Sequence, residues 1–261
     1  MKKVNVLWTG GLDSTYVVAV LSRKENVTIC PYYMIDNYRS SVPNELKAIN
    51  EITLRLKKDN KTKAIIQEIK IINSNEIKID STISRSYLSL RRRHKLGSQY
   101  DYLARYAKQH NIRFAVGLQV GERSKVSDVF KSEGRLKKEE DDICSFFVVD
   151  DDNSSEDVIN VFSHFEIPSF VYKHTKLDEV EGLKQLGLED VMLMTWFCHS
   201  PICGLPCGQC SPCKDALNEG LSWRVPLKGR ILGYLVKPYR IFVKACHKFM
   251  MLRTIKGIDN I

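Results

Sequence analysis

The sequence predicts a doubly wound α/β fold, a mostly parallel sheet with helices on both faces, followed by a cysteine-rich loop and a helical tail. Three observations predict it. Short, β-branched apolar runs alternate with helix-period segments, which implies parallel strands joined by right-handed crossovers. A glycine turn, Thr9-Gly10-Gly11, joins the first such run to the first such helix. The chain has 261 residues, 43% of them hydrophobic and 27% charged, enough to bury a sizeable core.

Residues 4–8 form a short apolar run bounded by Thr-Gly-Gly and read as a buried strand. Residues 13–21 follow as a helix with Val17, Val18 and Leu21 on its apolar face, and 28–35 read as a second strand. Residues 44–56 carry Leu46, Ile49, Ile52 and Leu56 at helical spacing. A strand over 65–72, a helix over 100–108 and a strand over 114–120 continue the alternation. The charged stretch 121–142 has little periodicity. It is either a solvated loop or a mobile lid, since ligands bind beyond the carboxyl ends of strands in such sheets. Residues 158–165, 177–186 and 212–221 are further helix candidates.

No segment offers the roughly 18 apolar residues of a membrane span. Met-Lys-Lys leads directly into the first strand, without the apolar stretch of a secretory signal, so cytoplasmic residence is the expectation. The chain has eight cysteines, five of them between Cys198 and Cys213. Without a signal, such clustering points to metal and not to a disulfide framework.

The strongest local signal is Thr9-Gly10-Gly11-Leu12-Asp13-Ser14-Thr15 between a strand and a helix. Two glycines let the backbone approach a phosphate, and the helix start offers free N–H groups and a positive dipole end. Ser14 and Thr15 add hydroxyls, and Asp13 could hold Mg²⁺ against the phosphates. The spacing is neither that of a Walker A loop nor that of the dinucleotide fingerprint. The second signal is Cys198-x8-Cys207-x2-Cys210-x2-Cys213. Four soft thiolates suit tetrahedral Zn²⁺ and leave no open position, so the site is expected to be structural. Cys203, in the same loop, is a fifth candidate ligand.

The glycine loop resembles the PP-loop of the ATP pyrophosphatases, whose usual form is Ser-Gly-Gly-x-Asp-Ser, with Thr9 in place of the first Ser. Together with the four-cysteine loop it resembles the 7-cyano-7-deazaguanine synthases of queuosine biosynthesis, which have the same cysteine spacing. Thr195-Trp196 before Cys198 is similar to that family's Thr-Trp-Ser-Cys. Ile35-Asp36-Asn37-Tyr38 with Glu45 is similar to its Asp-Tyr-Gly-Gln-Arg-His-x-x-Glu region, and Thr175-Lys176 with Gly187 to its Thr-Lys segment. The likeness spans roughly residues 4 to 217.

The resemblance implies a Rossmann-like PP-loop domain over 1–222 and an AMP-forming ligase. ATP would adenylate the carboxylate of 7-carboxy-7-deazaguanine, ammonia would displace AMP to give an amide, and a second ATP would dehydrate that amide to a nitrile. Thr9, Gly10, Gly11, Leu12, Asp13, Ser14 and Thr15 would bind ATP and Mg²⁺, and Asp36 would lie near the nucleotide. Lys176 would neutralise charge at the α-phosphate, as such chemistry requires. The family's Pro-x-Arg-Asn appears here as Arg91-Arg92-Arg93-His94, which leaves Arg93 as the counterpart of its arginine. Residues 91–95 are either a solvated helix start or an anchor for a carboxylate or phosphate. The family's Tyr-Pro-Asp-Cys segment has only Asp150 to Asp152 as its nearest stretch. Transfer of the adenylated deazapurine to a protein or nucleic acid, a tRNA-modifying enzyme and a non-catalytic nucleotide-binding module are the alternatives. A homodimer is compatible with each.

The remaining signal is charge. Of 40 basic residues, nine lie between Gly220 and Ile258 with no Asp or Glu among them, which leaves 31 basic against 31 acidic residues elsewhere. Residues 223–261 are thus a separate basic and apolar tail. Pro238 is placed to open a helix in which Arg240, Lys244 and Lys248 form a stripe beside Ile241, Phe242, Ala245, Phe249 and Leu252. Such a helix docks on an anionic membrane surface, an acidic protein groove or RNA, or it packs on the domain with its basic stripe in water.

Overall fold

A computed structural model gives the fold and describes residues 1–36, 39–118 and 125–239. Asn37, Tyr38, the end of the expected 114–120 strand, residues 121–124 and the tail stripe from Arg240 onward lie outside the described residues. The chain divides into two compact units, Met1–Trp196 and Phe197–Ile261, so the cysteine loop groups with the residues that follow it.

In the first unit the chain order is β1 (Lys2–Leu7), α1 (Leu12–Ser22), β2 (Val27–Ile35), α2 (Val42–Lys58), β3 (Ile65–Ile66) and β4 (Lys70–Asn73). Then come α3 (Ser81–His94), α4 (Gln99–Gln109), β5 (Phe114–Ala115), α5 (Lys125–Ser132), β6 (Leu136–Glu140) and β7 (Ser145–Val149). The unit closes with α6 (Glu156–Phe162), β8 (Phe165–Pro168), α7 (Lys176–Gln185) and α8 (Glu189–Met194). The sheet runs β3-β2-β1-β5-β8-β7-β6, with β4 also paired to β2. All pairs from β3 to β8 are parallel, and β7 and β6 join antiparallel at the far edge. The sheet is therefore α/β and mostly parallel, as expected.

This order decides where a ligand can sit. From β1 the chain winds out through β2 to one edge, then returns to β5 on the other side of β1. The reversal leaves a crevice beyond the carboxyl ends of β1 and β5, where doubly wound sheets bind ligands. The core lies beneath it: Val6, Trp8, Val17, Val18, Ile29 and Phe114 are fully buried. Helix α1 is buried on more faces than its expected apolar stripe, since Tyr16 and Ala19 are buried as well. Helix α7 crosses it so closely that a Cβ at Gly182 would stand 2.5 Å from the Tyr16 hydroxyl.

Several sequence expectations are corrected. Of the 121–142 stretch, the described residues 125–142 hold a helix and a strand in place of a solvated loop without regular structure. Val126, Val129 and Phe130 bury the inner face of α5, and the charge of Lys137 to Glu140 belongs to an exposed edge strand. Charged residues on an open edge discourage pairing with other chains. The 65–72 strand breaks into two short segments that pair β2 in succession. The 158–165 helix ends at Phe162, and Phe165 starts a strand.

Residues 91–95 end a helix and do not start one. Asp80 caps α3 by accepting from the N–H groups of Thr82 and Ile83, and Lys95 terminates it with φ 55°. The arginines thus fill a last turn, where cations complement the helix dipole.

Candidate functional site

The glycine loop leaves β1 at the crevice. Gly10 has φ 70°, and a Cβ there would lie 2.9 Å from the Glu45 carbonyl oxygen, so both turn and packing require glycine. Ser14 Oγ accepts from the Thr9 N–H and lies 3.2 Å from Thr9 Oγ1, while the Gly11 N–H donates to that same Thr9 hydroxyl. The hydroxyl kept at position 9 therefore ties the loop to itself. The Trp196 N–H donates to the Gly10 carbonyl at 2.8 Å, which anchors the loop to the Thr195-Trp196 segment.

Two loop residues face inward. Leu12 is buried, and Thr15 is buried with its hydroxyl accepting from the Trp8 indole N–H at 3.0 Å. Their side chains fix the helix start and leave ligand contact to Asp13, Ser14 and the backbone. Asp13 meets a partner distant in sequence: Lys176 Nζ donates to both carboxylate oxygens, at 2.7 and 2.8 Å. Lys176 is the first residue of α7. A capping box fixes it there, with the Thr175 side chain accepting from the Asp178 N–H and the Thr175 N–H donating to the Asp178 carboxylate. Asp13 and Lys176 are both partly exposed, so the pair is open to an incoming ligand.

Thr9, Asp13 and Ser14 line one wall of a cleft of about 320 Å³. Val116, Gly117 and Leu118, beyond β5, form the opposite wall. A Cβ at Gly117 would lie 2.6 Å from the Asp13 backbone carbon, so only glycine lets this strand end approach α1 so closely. Gln99, Tyr100, Leu103 and Phe165 complete an aromatic and apolar floor. Burial pushes the Tyr100 phenol up to about 12, so it stays a hydrogen-bond donor. Sequence reasoning missed Gly117 and this floor, because nothing in α4 or after β5 marks them except that β5 neighbours β1.

Two other expected site residues are held in ion pairs. Asp36 follows β2 and pairs with Arg39 at 3.2 Å. Arg93 is not among the residues lining the cleft. Its guanidinium grips both oxygens of Glu133, at 2.7 and 2.6 Å, and Asp157 at 2.9 Å, which ties α3 to its neighbours. The Glu133 and Asp157 hydrogen bonds raise its pKa further. Glu45 is buried, with its two oxygens accepting from the hydroxyls of Tyr33 and Ser41, which makes it a brace inside α2.

In the second unit, the sulfurs of Cys198, Cys207, Cys210 and Cys213 all lie within 4.8 Å of one another. Those of Cys198 and Cys210 are 3.8 Å apart. Four sulfurs at about 2.3 Å from a tetrahedral zinc stand about 3.8 Å from each other, so set and spacing fit the ion. Backbone N–H groups also point at sulfur, from Cys207 to Cys198 and from Gln209 and Cys210 to Cys207, as thiolates require. Cys203 is exposed and outside the cluster. It sits with Gly204 at positive φ in a two-residue hairpin turn closed by Ile202 and Leu205.

Residues 227–239 form a helix that begins well before Pro238. It lies against the cysteine loop through Gly229 and Gly233. A Cβ at Gly233 would fall 1.8 Å from the Cys207 carbonyl oxygen, and one at Gly229 2.2 Å from that of Pro206. The start of the tail is thus packed into the same unit as the four cysteines. Gly233→Ala should push the helix off the loop and destabilise the unit by about 1–3 kcal/mol. An unchanged melting temperature and unchanged metal content would contradict this packing. No protein-family model matches the chain, and no curated protein matches it.

Proposed function

We propose that the cleft binds ATP and that the chain cleaves it between the α and β phosphates to adenylate a carboxylate. The acceptor is a 7-deazaguanine-type base, as in the 7-cyano-7-deazaguanine synthases that the motifs resemble. The observation that carries this reading is the convergence of Asp13, Ser14 and Lys176 at the start of α1. A cation, a hydroxyl and a carboxylate meet there at a helix N-terminus, beside a cleft with an aromatic floor.

The reaction proposed is that of the family the motifs resemble. The acceptor carboxylate oxygen attacks the α-phosphorus, its P–O bond forms as the α–β bridge breaks, and pyrophosphate leaves. Ammonia then attacks the acyl carbon, AMP departs, and a proton is released, leaving an amide. Dehydration of that amide to a nitrile repeats the adenylation with a second ATP. Mg²⁺, when bound, neutralises the departing pyrophosphate. Asp13 is the residue that would hold it, and Lys176, paired with Asp13 at the start of α7, would neutralise charge developing at the α-phosphate. Tyr100 and Phe165 offer the base a surface to stack on, with Gln99 a polar partner at its edge.

The test is product analysis. Incubation with ATP, Mg²⁺, 7-carboxy-7-deazaguanine and ammonia should give AMP and pyrophosphate, with a mass shift to amide and nitrile. ADP and phosphate as the main products would overturn the reading. Pyrophosphate release with some other carboxylate, and none with the deazapurine, would retain the ATP chemistry and replace the acceptor.

A further inference from the structure

The helix 227–239 presents two opposed faces. Gly229 and Gly233 are buried against the backbone of the cysteine loop. On the other side Leu227 is 67% exposed, Ile231 52%, Tyr234 69%, Leu235 66% and Tyr239 68%. These positions follow helical spacing and fall on one stripe, an arrangement that normally marks the face a helix buries. Trp223, just before the helix, is exposed as well.

We propose that this stripe seats the second unit on a lipid bilayer surface carrying anionic headgroups. Charge selects that occupant. Arg224, Lys228, Arg230 and Lys237 accompany the stripe, and the sequence from Gly220 to Ile258 contains no carboxylate, while the rest of the chain balances 31 basic against 31 acidic residues. A surface that offers negative headgroups above a hydrocarbon layer satisfies both the lysines and the leucines. Tyrosine and tryptophan prefer the boundary between those layers, and Tyr234, Tyr239 and Trp223 supply them. A nucleic-acid backbone would use the charge and leave Leu227, Ile231 and Leu235 in water. Among the described residues no helix is long and apolar enough to cross a membrane, and the proposal places the helix in the plane of the surface. The helix is held by its glycine face, so the apolar stripe needs no rearrangement to meet the bilayer.

The test uses the full chain and vesicles of phosphatidylcholine, alone or mixed with phosphatidylserine. The chain should float with the mixed vesicles, bind the neutral ones far less, and release as salt rises. Ile231→Asp and Leu235→Asp, both at exposed positions, should each lower partitioning about tenfold or more with unchanged thermal unfolding. Replacing Lys228 and Lys237 by Ala should weaken binding to the anionic vesicles alone. The proposal fails if the full chain binds neither vesicle, or if the stripe substitutions leave binding unchanged. It also fails if the same substitutions abolish a concentration-dependent self-association, since a second copy then occupies the stripe. Binding to a tRNA that survives the stripe substitutions, with no vesicle binding, would assign the charge to nucleic acid.

Discussion

Asp13→Ala is expected to abolish ATP-dependent pyrophosphate release while leaving the first unit folded. Asp13 is partly exposed, and Lys176 holds its two carboxylate oxygens at 2.7 and 2.8 Å. Such an ion pair contributes little to stability, because water competes for both charges. The carboxylate also lies in the first turn of α1, where an anion adds about 0.3–1 kcal/mol. The melting temperature should therefore fall only slightly. Activity should fall by about 10³-fold or more, the scale seen when one charge-stabilising group is removed from a reacting site. Asp13→Asn sharpens the test, since it keeps the shape and loses the charge that a magnesium ion needs. Lys176→Ala should lower turnover comparably, and pairing it with Asp13→Ala should add little, because the two act as a unit. If Asp13→Asn retained full pyrophosphate release, the glycine loop would not be the phosphate site.

Much of this site is legible in the sequence, and the reason is local. Glycines, hydroxyls and an aspartate between an apolar strand and a helix can be read from adjacent residues, and the cysteine spacing likewise. What is not legible depends on packing across the sheet. Gly117 matters because β5 returns beside β1, and that neighbour relation is a property of topology and not of residues 114–118. Arg93 reads in the sequence as available for an anion. Its real partners, Glu133 and Asp157, arrive from just beyond α5 and from α6, elements that the charged composition obscures or displaces. Helix α3 escapes sequence reading since only Ile83, Tyr87 and Leu90 mark its buried apolar face within a run of serines and arginines. The Lys176–Asp13 contact joins residues from the two ends of the first unit. Their shared place near a phosphate is implied by the resemblance, but the direct ion pair is not. Gly229-x3-Gly233 is visible in the sequence, yet its meaning emerges only from the carbonyls of Pro206 and Cys207 pressed against it.

Purified protein should carry one zinc per chain, and Cys210→Ser should cost more stability than either Gly233→Ala or Asp13→Ala. The second unit has few alternatives to the metal as its centre. Four cysteine sulfurs crowd within 4.8 Å, with the backbone around them turned by Gly204 and Gly208 at positive φ. Burying four thiols there gains little by itself, whereas binding a structural zinc ion contributes about 10–16 kcal/mol, which in such sites is folding energy. Loss of one ligand opens a coordination position and removes a large share of that. The loop also supports the helix 227–239 through the carbonyls of Pro206 and Cys207, so release of the metal should loosen the helix as well. Zinc content, thermal unfolding and limited proteolysis across residues 197–239 would record this together, with chelation of the wild-type chain reproducing the variant. Cys203→Ser is the matched control. That thiol is exposed and outside the cluster, so its loss should leave metal content and melting temperature unchanged. A Cys210→Ser protein that kept one tightly held zinc and its full melting temperature would show that this residue is not a ligand and that the loop is stabilised by something other than the four sulfurs.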